Sequence, residues 1–273
     1  MIPGLHIGTS GWSYKDSTGW KEIFYHSMSS LLHQYLTYFD TAEINSTFYA
    51  LPKKGFIQYL KKNVDEKKFF TAKLPKKVTH DNRLDLSGDA GQDLNEYFTL
   101  LQPISDRLAA LLIQLPPWHI DKMADLEAFF TNLDQSFRYA IEFRHKSWLG
   151  PETWTLLEQY DIAHVIVDEP RLPVNMRITT DFAYVRWHGH GSNPWYKYKY
   201  TEEELREWKP RLLELSSNTD AVVGYFNNHF FGYAPYNALQ MLELMDMIKP
   251  RQMKKLESME AKFSIEQTSL DQF

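Results

Sequence analysis

Eight short runs of apolar, β-branched or aromatic residues recur along the chain, and most are followed by a longer segment with helical spacing. They are Leu5–Gly8, Phe39–Ile44, Phe69–Leu74, Ala109–Leu115, Tyr139–Phe143, Ala163–Val167, Phe182–Trp187 and Ala221–Phe226. This alternation is what repeated strand–helix units produce, and it restricts the fold to a parallel sheet covered by helices. Eight units in 273 residues match one (β/α)8 barrel, whereas an open doubly wound sheet more often uses about five or six strands. Gly8-Thr9-Ser10-Gly11 after the first run lacks the third glycine of a dinucleotide-binding turn. The expectation is an α/β chain with a single-domain TIM-like barrel over residues 1–250 and a C-terminal tail over 251–273.

The segments between the runs carry helix signals. Ser27–Tyr38 opens with serines and places Met28, Leu31, Leu32, Tyr35 and Leu36 on one face; Asp121–Asn132 begins with an acidic cap. Pro151 suits a first helical turn ahead of Trp154 and Leu157, and Thr201 with Glu204 forms a capping box. The last barrel helix is expected over Ala234–Ile248, stopping before Pro250. Asp168-Glu169-Pro170-Arg171-Leu172-Pro173 leaves little room for a helix, so an irregular connector is expected over 168–182.

Composition removes several function classes. The chain contains no cysteine, which excludes disulfide scaffolds, thiolate zinc sites, iron–sulfur clusters and cysteine nucleophiles. Thirty Lys and Arg against 35 Asp and Glu give a net charge of −5, so binding nucleic acid mainly by charge is not expected. No run reaches the ~18 apolar residues of a membrane span, and the first residues lack a basic region followed by an apolar stretch, so a cytoplasmic location without membrane association is the expectation. Walker, Gly-x-Ser-x-Gly and kinase signatures are absent.

In such a barrel, functional side chains sit at the carboxyl ends of the strands, and residues two apart on a strand share a face. The strand ends read Glu43-Ile44-Asn45, Lys73-Leu74-Pro75, Gln114-Leu115-Pro116, Glu142-Phe143-Arg144, Asp168-Glu169, Arg186-Trp187-His188 and Asn227-Asn228. The i, i+2 pairs Glu43 with Asn45, Glu142 with Arg144 and Arg186 with His188 therefore aim at the barrel mouth. A structural ion-pair network is the competing reading, since buried charges also pair without function. Convergence of seven strand ends favours a site.

Several blocks resemble the YecE-like family, domain of unknown function 72. They are Gly8-Thr9-Ser10-Gly11-Trp12-Ser13-Tyr14, Glu43-Ile44-Asn45-Ser46-Thr47-Phe48-Tyr49, Lys73-Leu74-Pro75 with Thr79-His80, and Gln114-Leu115-Pro116-Pro117. Glu142-Phe143-Arg144-His145-Lys146-Ser147-Trp148, Tyr184-Val185-Arg186-Trp187-His188-Gly189 and Tyr225-Phe226-Asn227-Asn228 complete the set. The blocks span residues 8 to 228. The resemblance implies a TIM-like barrel and names no reaction. Trp187, where a smaller apolar residue is expected, and the aromatic-rich loop Gly189–Tyr200 depart from the pattern.

The residues themselves favour an enzyme, a hydrolase or lyase, working by acid–base catalysis on a small anionic sugar- or nucleotide-like compound. Glu142, Glu43, Asp168, His188 and Lys73 are the catalytic candidates. Arg144, Arg186, His80, Asn45, Asn227, Asn228, Trp12 and Tyr14 are the substrate-binding ones. The arginine forks suit a carboxylate or phosphate, and exposed rings suit a sugar or base. Lys73 is the only lysine ending a strand. Neighbouring carboxylates are expected to keep it protonated, placing an electrostatic role ahead of Schiff-base chemistry. His164, inside the sixth run, reads as a core histidine. No cofactor is expected. A metal-dependent phosphoesterase or isomerase using Glu43, Glu142, Asp168 and His188 is one alternative, disfavoured because three cations already balance three carboxylates. A non-catalytic ligand-binding protein is the other. Gln267, Leu270 and Phe273 are spaced somewhat like a sliding-clamp-binding peptide, against which an ordinary frayed terminus is the simpler reading.

Overall fold

The computed structural model describes residues 3–14 and 20–270. The strands are β1 (Gly4–Ser10), β2 (Thr41–Ile44), β3 (Phe69–Lys73), β4 (Leu108–Gln114), β5 (Tyr139–Glu142), β6 (Ile162–Asp168), β7 (Phe182–Trp187) and β8 (Ala221–Phe226). Each pairs in parallel with the next, and β8 returns to β1, so the sheet closes into the expected barrel. Two apolar layers follow from the two faces of each strand. Ala110, Leu112, Ala140, Val165, Val167, Val223 and Tyr225 belong to the layer inside the barrel. Ile44, Leu111, Ile141, Phe143, Trp187 and Phe226 pack outward against helices.

The outward layer explains the unexpected Trp187. Its ring stacks on Phe226 with centroids 4.4 Å apart. A Cβ on residue 224 would lie 2.6 Å from the indole, so glycine at that position admits the large ring. His164 lies in the same layer, edge-on to Trp154 at 4.8 Å. It is the core histidine expected, although its Nδ1 is buried without a partner.

Helix boundaries differ from the sequence expectations where side chains compete for the backbone. The helix expected over Ser27–Tyr38 is confined to α1 (Leu31–Leu36). Gln34 Nε2 donates to Ser27 O and Ser29 O at 3.1 and 2.6 Å, holding the serines in a loop instead of a helical turn. Of Asp121–Asn132, only a short turn at Ile120–Lys122 and a helix over Leu126–Phe130 form; Asp125 caps the latter by accepting from Ala128 N at 2.7 Å. Numbering the helices in chain order, α2 is Ser46–Tyr49, α3 Lys54–Asn63, α4 Asp89–Leu101, α5 Leu126–Phe130 and α6 Pro151–Gln159. The Thr201 capping box starts α7 (Glu202–Asn218) as expected.

Between β6 and β7 the chain is irregular, as expected, and Thr179 pins it by donating to Ile162 O at 2.7 Å. The last barrel helix, α8 (Tyr233–Leu244), ends four residues earlier than Ile248. Beyond it, the expected tail is largely α9 (Pro250–Leu270), which buries Leu256 and Met259. Lys255 Nζ donates to Ile23 O at 3.2 Å, fastening α9 to the first connector. Gln267 and Leu270, in their side chains, and Phe273 entirely lie outside the described residues. No helix among the described residues is long and apolar enough to cross a membrane.

Candidate functional site

The inward face of the strands turns from apolar to polar towards the carboxyl ends. One storey below the mouth, Thr41 pairs with Tyr225 at 2.7 Å and Thr71 with Tyr184 at 2.9 Å. Tyr184 then donates upward to Glu43 Oε2 at 2.6 Å. Above this lies an ion-pair ring centred on Arg186. Its Nη2 donates to Glu43 Oε1 at 2.6 Å and to Ser10 Oγ at 2.9 Å, while Nη1 donates to Glu142 Oε2. Ser10 Oγ donates to Glu43 Oε1 and accepts from Asn45 Nδ2 at 2.8 Å. Glu142 Oε1 accepts from Gln114 Nε2 at 2.7 Å and Arg144 Nε at 2.5 Å. His188 Nε2 stands 3.4 Å from Glu142 Oε1 and 3.3 Å from Arg144 Nη2, with Asn227 Nδ2 at 2.9 Å from its Nδ1.

Protonation follows from this packing. Burial alone would raise the carboxyl of Glu142, but Arg144 and Arg186 more than reverse it and hold the group well below the usual range. Burial likewise opposes ionisation of Glu43, and Arg186, Ser10 and Tyr184 overcome it. His188 is brought down to about 4, chiefly by burial and then by the two arginines, so it is neutral near pH 7. His80, in the turn after β3 and edge-on to Phe48 at 5.1 Å, is also brought down to about 4 by burial and Lys73. Protonated histidines therefore do not make the mouth cationic near neutral pH.

Two ionisable groups differ from the ring. Lys73 is 8% exposed, and its amine lies 3.9 Å over the Phe48 ring with no hydrogen bond or ion pair among the described residues. Burial and Arg186 bring its pKa down to about 7. Glu142 and Glu43 favour the protonated amine as expected, but burial outweighs them, and their lone pairs are directed at Arg186, Arg144, Gln114, Ser10 and Tyr184. Glu169 is 4% exposed, and neither carboxylate oxygen has a hydrogen-bond partner. Its pKa is raised, first by burial and also by Glu142.

The remaining candidates separate by strand parity. Asp168 points outward, accepting from Trp208 Nε1 at 3.1 Å and pairing with His190 at 2.7 Å, so it does not join the ring. Val165 and Val167 occupy the inward phase of β6, and continuing that phase by two selects Glu169. Asn228 is also outside the ring: its Nδ2 donates to Tyr198 O at 2.9 Å and Asn237 Oδ1 at 2.8 Å, tethering the Gly189–Tyr200 loop to α8. Arg186 is 1% exposed with both terminal nitrogens engaged, which corrects its assignment as an anion-binding residue. Trp12 stacks on Phe56 with centroids 6.3 Å apart, and Tyr14 on His229 at 4.1 Å. Sequence reasoning also left Ser10, Gln114 and Tyr184 off the site, although the same alternation places them inward.

The family model described as protein of unknown function DUF72 matches residues 6–261, and the chain belongs to that family. The chain is similar to UPF0759 protein YunF of Bacillus subtilis, 29% identical over 91% of this chain and 99% of the relative. A DUF72 family protein of Thermotoga maritima is 32% identical, with a TM-score of 0.75, over 89% of this chain and 99% of the other. An Enterococcus faecalis DUF72 structure, 22% identical with a TM-score of 0.74 over 89% of this chain and 98% of the other, shows the same fold.

Proposed function

We propose that the mouth of this DUF72 barrel binds a small anionic compound through Arg144 and performs acid–base chemistry on it, with Glu169 as proton donor. The observation that carries the reading is the sealed, unpartnered carboxyl of Glu169 beside a ring whose other carboxylates are saturated. Burial shifts Glu169 towards its protonated form while Glu43 and Glu142 are kept ionised by their partners, and such a divergence between neighbouring carboxyls is what separates an acid from a base in one site. Arg144 uses Nε on Glu142 and sets Nη2 beside His188, while Nη1 has no partner among the described residues. Its side chain is 18% exposed. A carboxylate or phosphate matches its remaining donors. The rings at Tyr14, Tyr196 and His229 stack with centroids 4.1 and 5.1 Å apart and favour a sugar- or base-like body.

A metal-assisted phosphoesterase or isomerase is less well supported by the donor set. Arg186 stands between Glu43 and Glu142, where a divalent cation would need oxygen ligands. No group of three or more His, Asp or Glu side chains among the described residues is arranged to hold one.

The test is inorganic phosphate binding followed by NMR, with a turnover screen of small carboxylates and phosphoesters. Arg144→Met should weaken phosphate binding at least tenfold. Glu169→Gln should leave it within twofold while lowering any turnover found at least a hundredfold. Phosphate binding indifferent to Arg144, or full turnover without Glu169, would overturn the proposal.

A further inference from the structure

The ring leaves two buried ionisable groups at the mouth without partners, Glu169 and Lys73. Salt-bridged lysines elsewhere have partners: Lys68 meets Asp40, Lys77 meets Asp93 and Lys209 meets Asp246. Lys73 is among the most buried of the lysines, and its nearest described feature is the face of Phe48. A lysine needed only to neutralise Glu43 or Glu142 would touch one of them. Here Arg186 occupies both carboxylates, and Arg144 and Gln114 occupy Glu142 further. The amine is not among the sealed, unpartnered polar atoms, whereas the carboxyl of Glu169 is. Desolvation without a counter-charge is what makes a lysine nucleophilic near neutral pH.

We propose that Lys73 is a covalent nucleophile that forms an imine with an aldehyde or ketone bearing a carboxylate or phosphate, the anionic group being held by Arg144. This rests on the reading above and adds its substrate class. The neutral Nζ adds to the carbonyl carbon, forming the C–N bond, and a proton passes from nitrogen to the former carbonyl oxygen to give a neutral carbinolamine. Glu169 then protonates the hydroxyl, the C–O bond breaks and water leaves. A protonated imine and an ionised Glu169 result, and hydrolysis returns the proton to Glu169. No oxidant or reductant is required. The imine serves as an electron sink for loss of a proton or a carbon substituent at the adjacent carbon. The charge of Arg144 acts on both groups, favouring the neutral amine of Lys73 and easing release of the proton from Glu169 against the burial that raises it.

The experiment treats the full chain at pH 7 with pyruvate or dihydroxyacetone phosphate and sodium borohydride, followed by intact-mass and peptide mapping. One reduced adduct on Lys73 is expected, lost in Lys73→Arg and Lys73→Met and lowered at least tenfold in Arg144→Met. As a second measurement, competitive acetylation across pH should show Lys73 reacting half-maximally near pH 7. Circular dichroism identifies variants that fail to fold, in which case the acetylation profile of the unaltered chain decides. Absence of an adduct, adducts spread over exposed lysines, or a Lys73 profile like that of surface lysines overturns the inference. If phosphate binding at Arg144 persists in that case, imine formation alone fails; if phosphate binding is also absent, the broader proposal fails with it.

Discussion

The Arg186 ring and the unpartnered groups Lys73 and Glu169 lie at the same end of one barrel and differ in how their charges are accommodated. In the ring, each buried carboxylate meets several donors, and Arg186 joins Glu43 to Glu142. This pairing lowers the carboxyls and raises the guanidinium, stabilising the charged forms of Glu43, Glu142 and Arg186. Lys73 and Glu169 have comparable burial without these partners, and both shift towards their neutral forms. The same end of the barrel thus contains groups held charged by their partners and groups shifted towards neutrality by burial, available for proton or electron-pair transfer. Convergence of charges alone does not separate the two kinds; the distribution of hydrogen-bond partners does.

The largest effect should come from breaking the ring. Arg186→Met leaves Glu43 and Glu142 buried without their shared cation, at a cost of about 3–5 kcal/mol. Denaturant unfolding would measure this, and the additional substitutions Glu43→Gln and Glu142→Gln should recover most of it. A loss below about 1 kcal/mol would erase the distinction drawn here. Lys73→Met should act in the opposite direction, stabilising the chain by about 1–3 kcal/mol at pH 7–8, because an unpartnered buried amine is replaced by an apolar side chain. The folded pKa of Lys73 lies near 7 and the unfolded one near 10.5. Between those values the unfolded state binds more protons, so its contribution makes stability rise with pH. Lys73→Met should remove that slope.

Much of this arrangement is legible in sequence, because a strand of period two leaves its phase in the residue types. Tyr184, Arg186 and His188 read as one face, and Ala183, Val185 and Trp187 as the other, from residue type alone. The barrel follows from eight such runs. At the end of β6 residue type misleads: Asp168 is the last polar residue of the strand proper, but it belongs to the outward set with Ile162, His164 and Ile166. Glu169 continues the inward set. Asn228 was likewise one residue out of phase after Tyr225. The engagement of both terminal nitrogens of Arg186 is not legible, since their partners come from strands 143 and 44 residues away in sequence and depend on register. The shortened α1 was missed because Gln34 reaches back seven residues to Ser27, a side-chain competition that apolar spacing does not report.

A smaller effect should appear in acid and sharpen the contrast further. His80, His164 and His188 titrate near 4 in the folded chain, against 6.5 as the ordinary value. Between these values the unfolded state again binds more protons, so stability falls as pH falls from 6.5 to 4. Below 4.5, Glu43 and Glu142 add to the loss in the same direction, because their folded carboxyls are lowered. His188→Gln should flatten the first part of this decline by about 1–2 kcal/mol at pH 5, measured by urea unfolding at successive pH values. An unchanged decline would mean that His188 is not held neutral by its burial among the arginines.

The smallest stability effect is expected at Glu169, and its sign distinguishes this carboxyl from those of the ring. Its folded pKa is raised by burial, so the unfolded carboxyl ionises first and stability is lost as pH rises from 4.5 through the folded value. Glu43 and Glu142 behave in the opposite way. Glu169→Gln should therefore be nearly neutral below pH 4.5, within about 0.5 kcal/mol, and mildly stabilising above it. Glu142→Gln should be destabilising above pH 4.5, where it removes a paired charge. Urea unfolding of the two variants at pH 4 and pH 8 would show the crossing. If Glu169→Gln instead weakened the chain at pH 8 as Glu142→Gln does, Glu169 would be an ionised member of the network, and its role as a proton donor would have no physical basis.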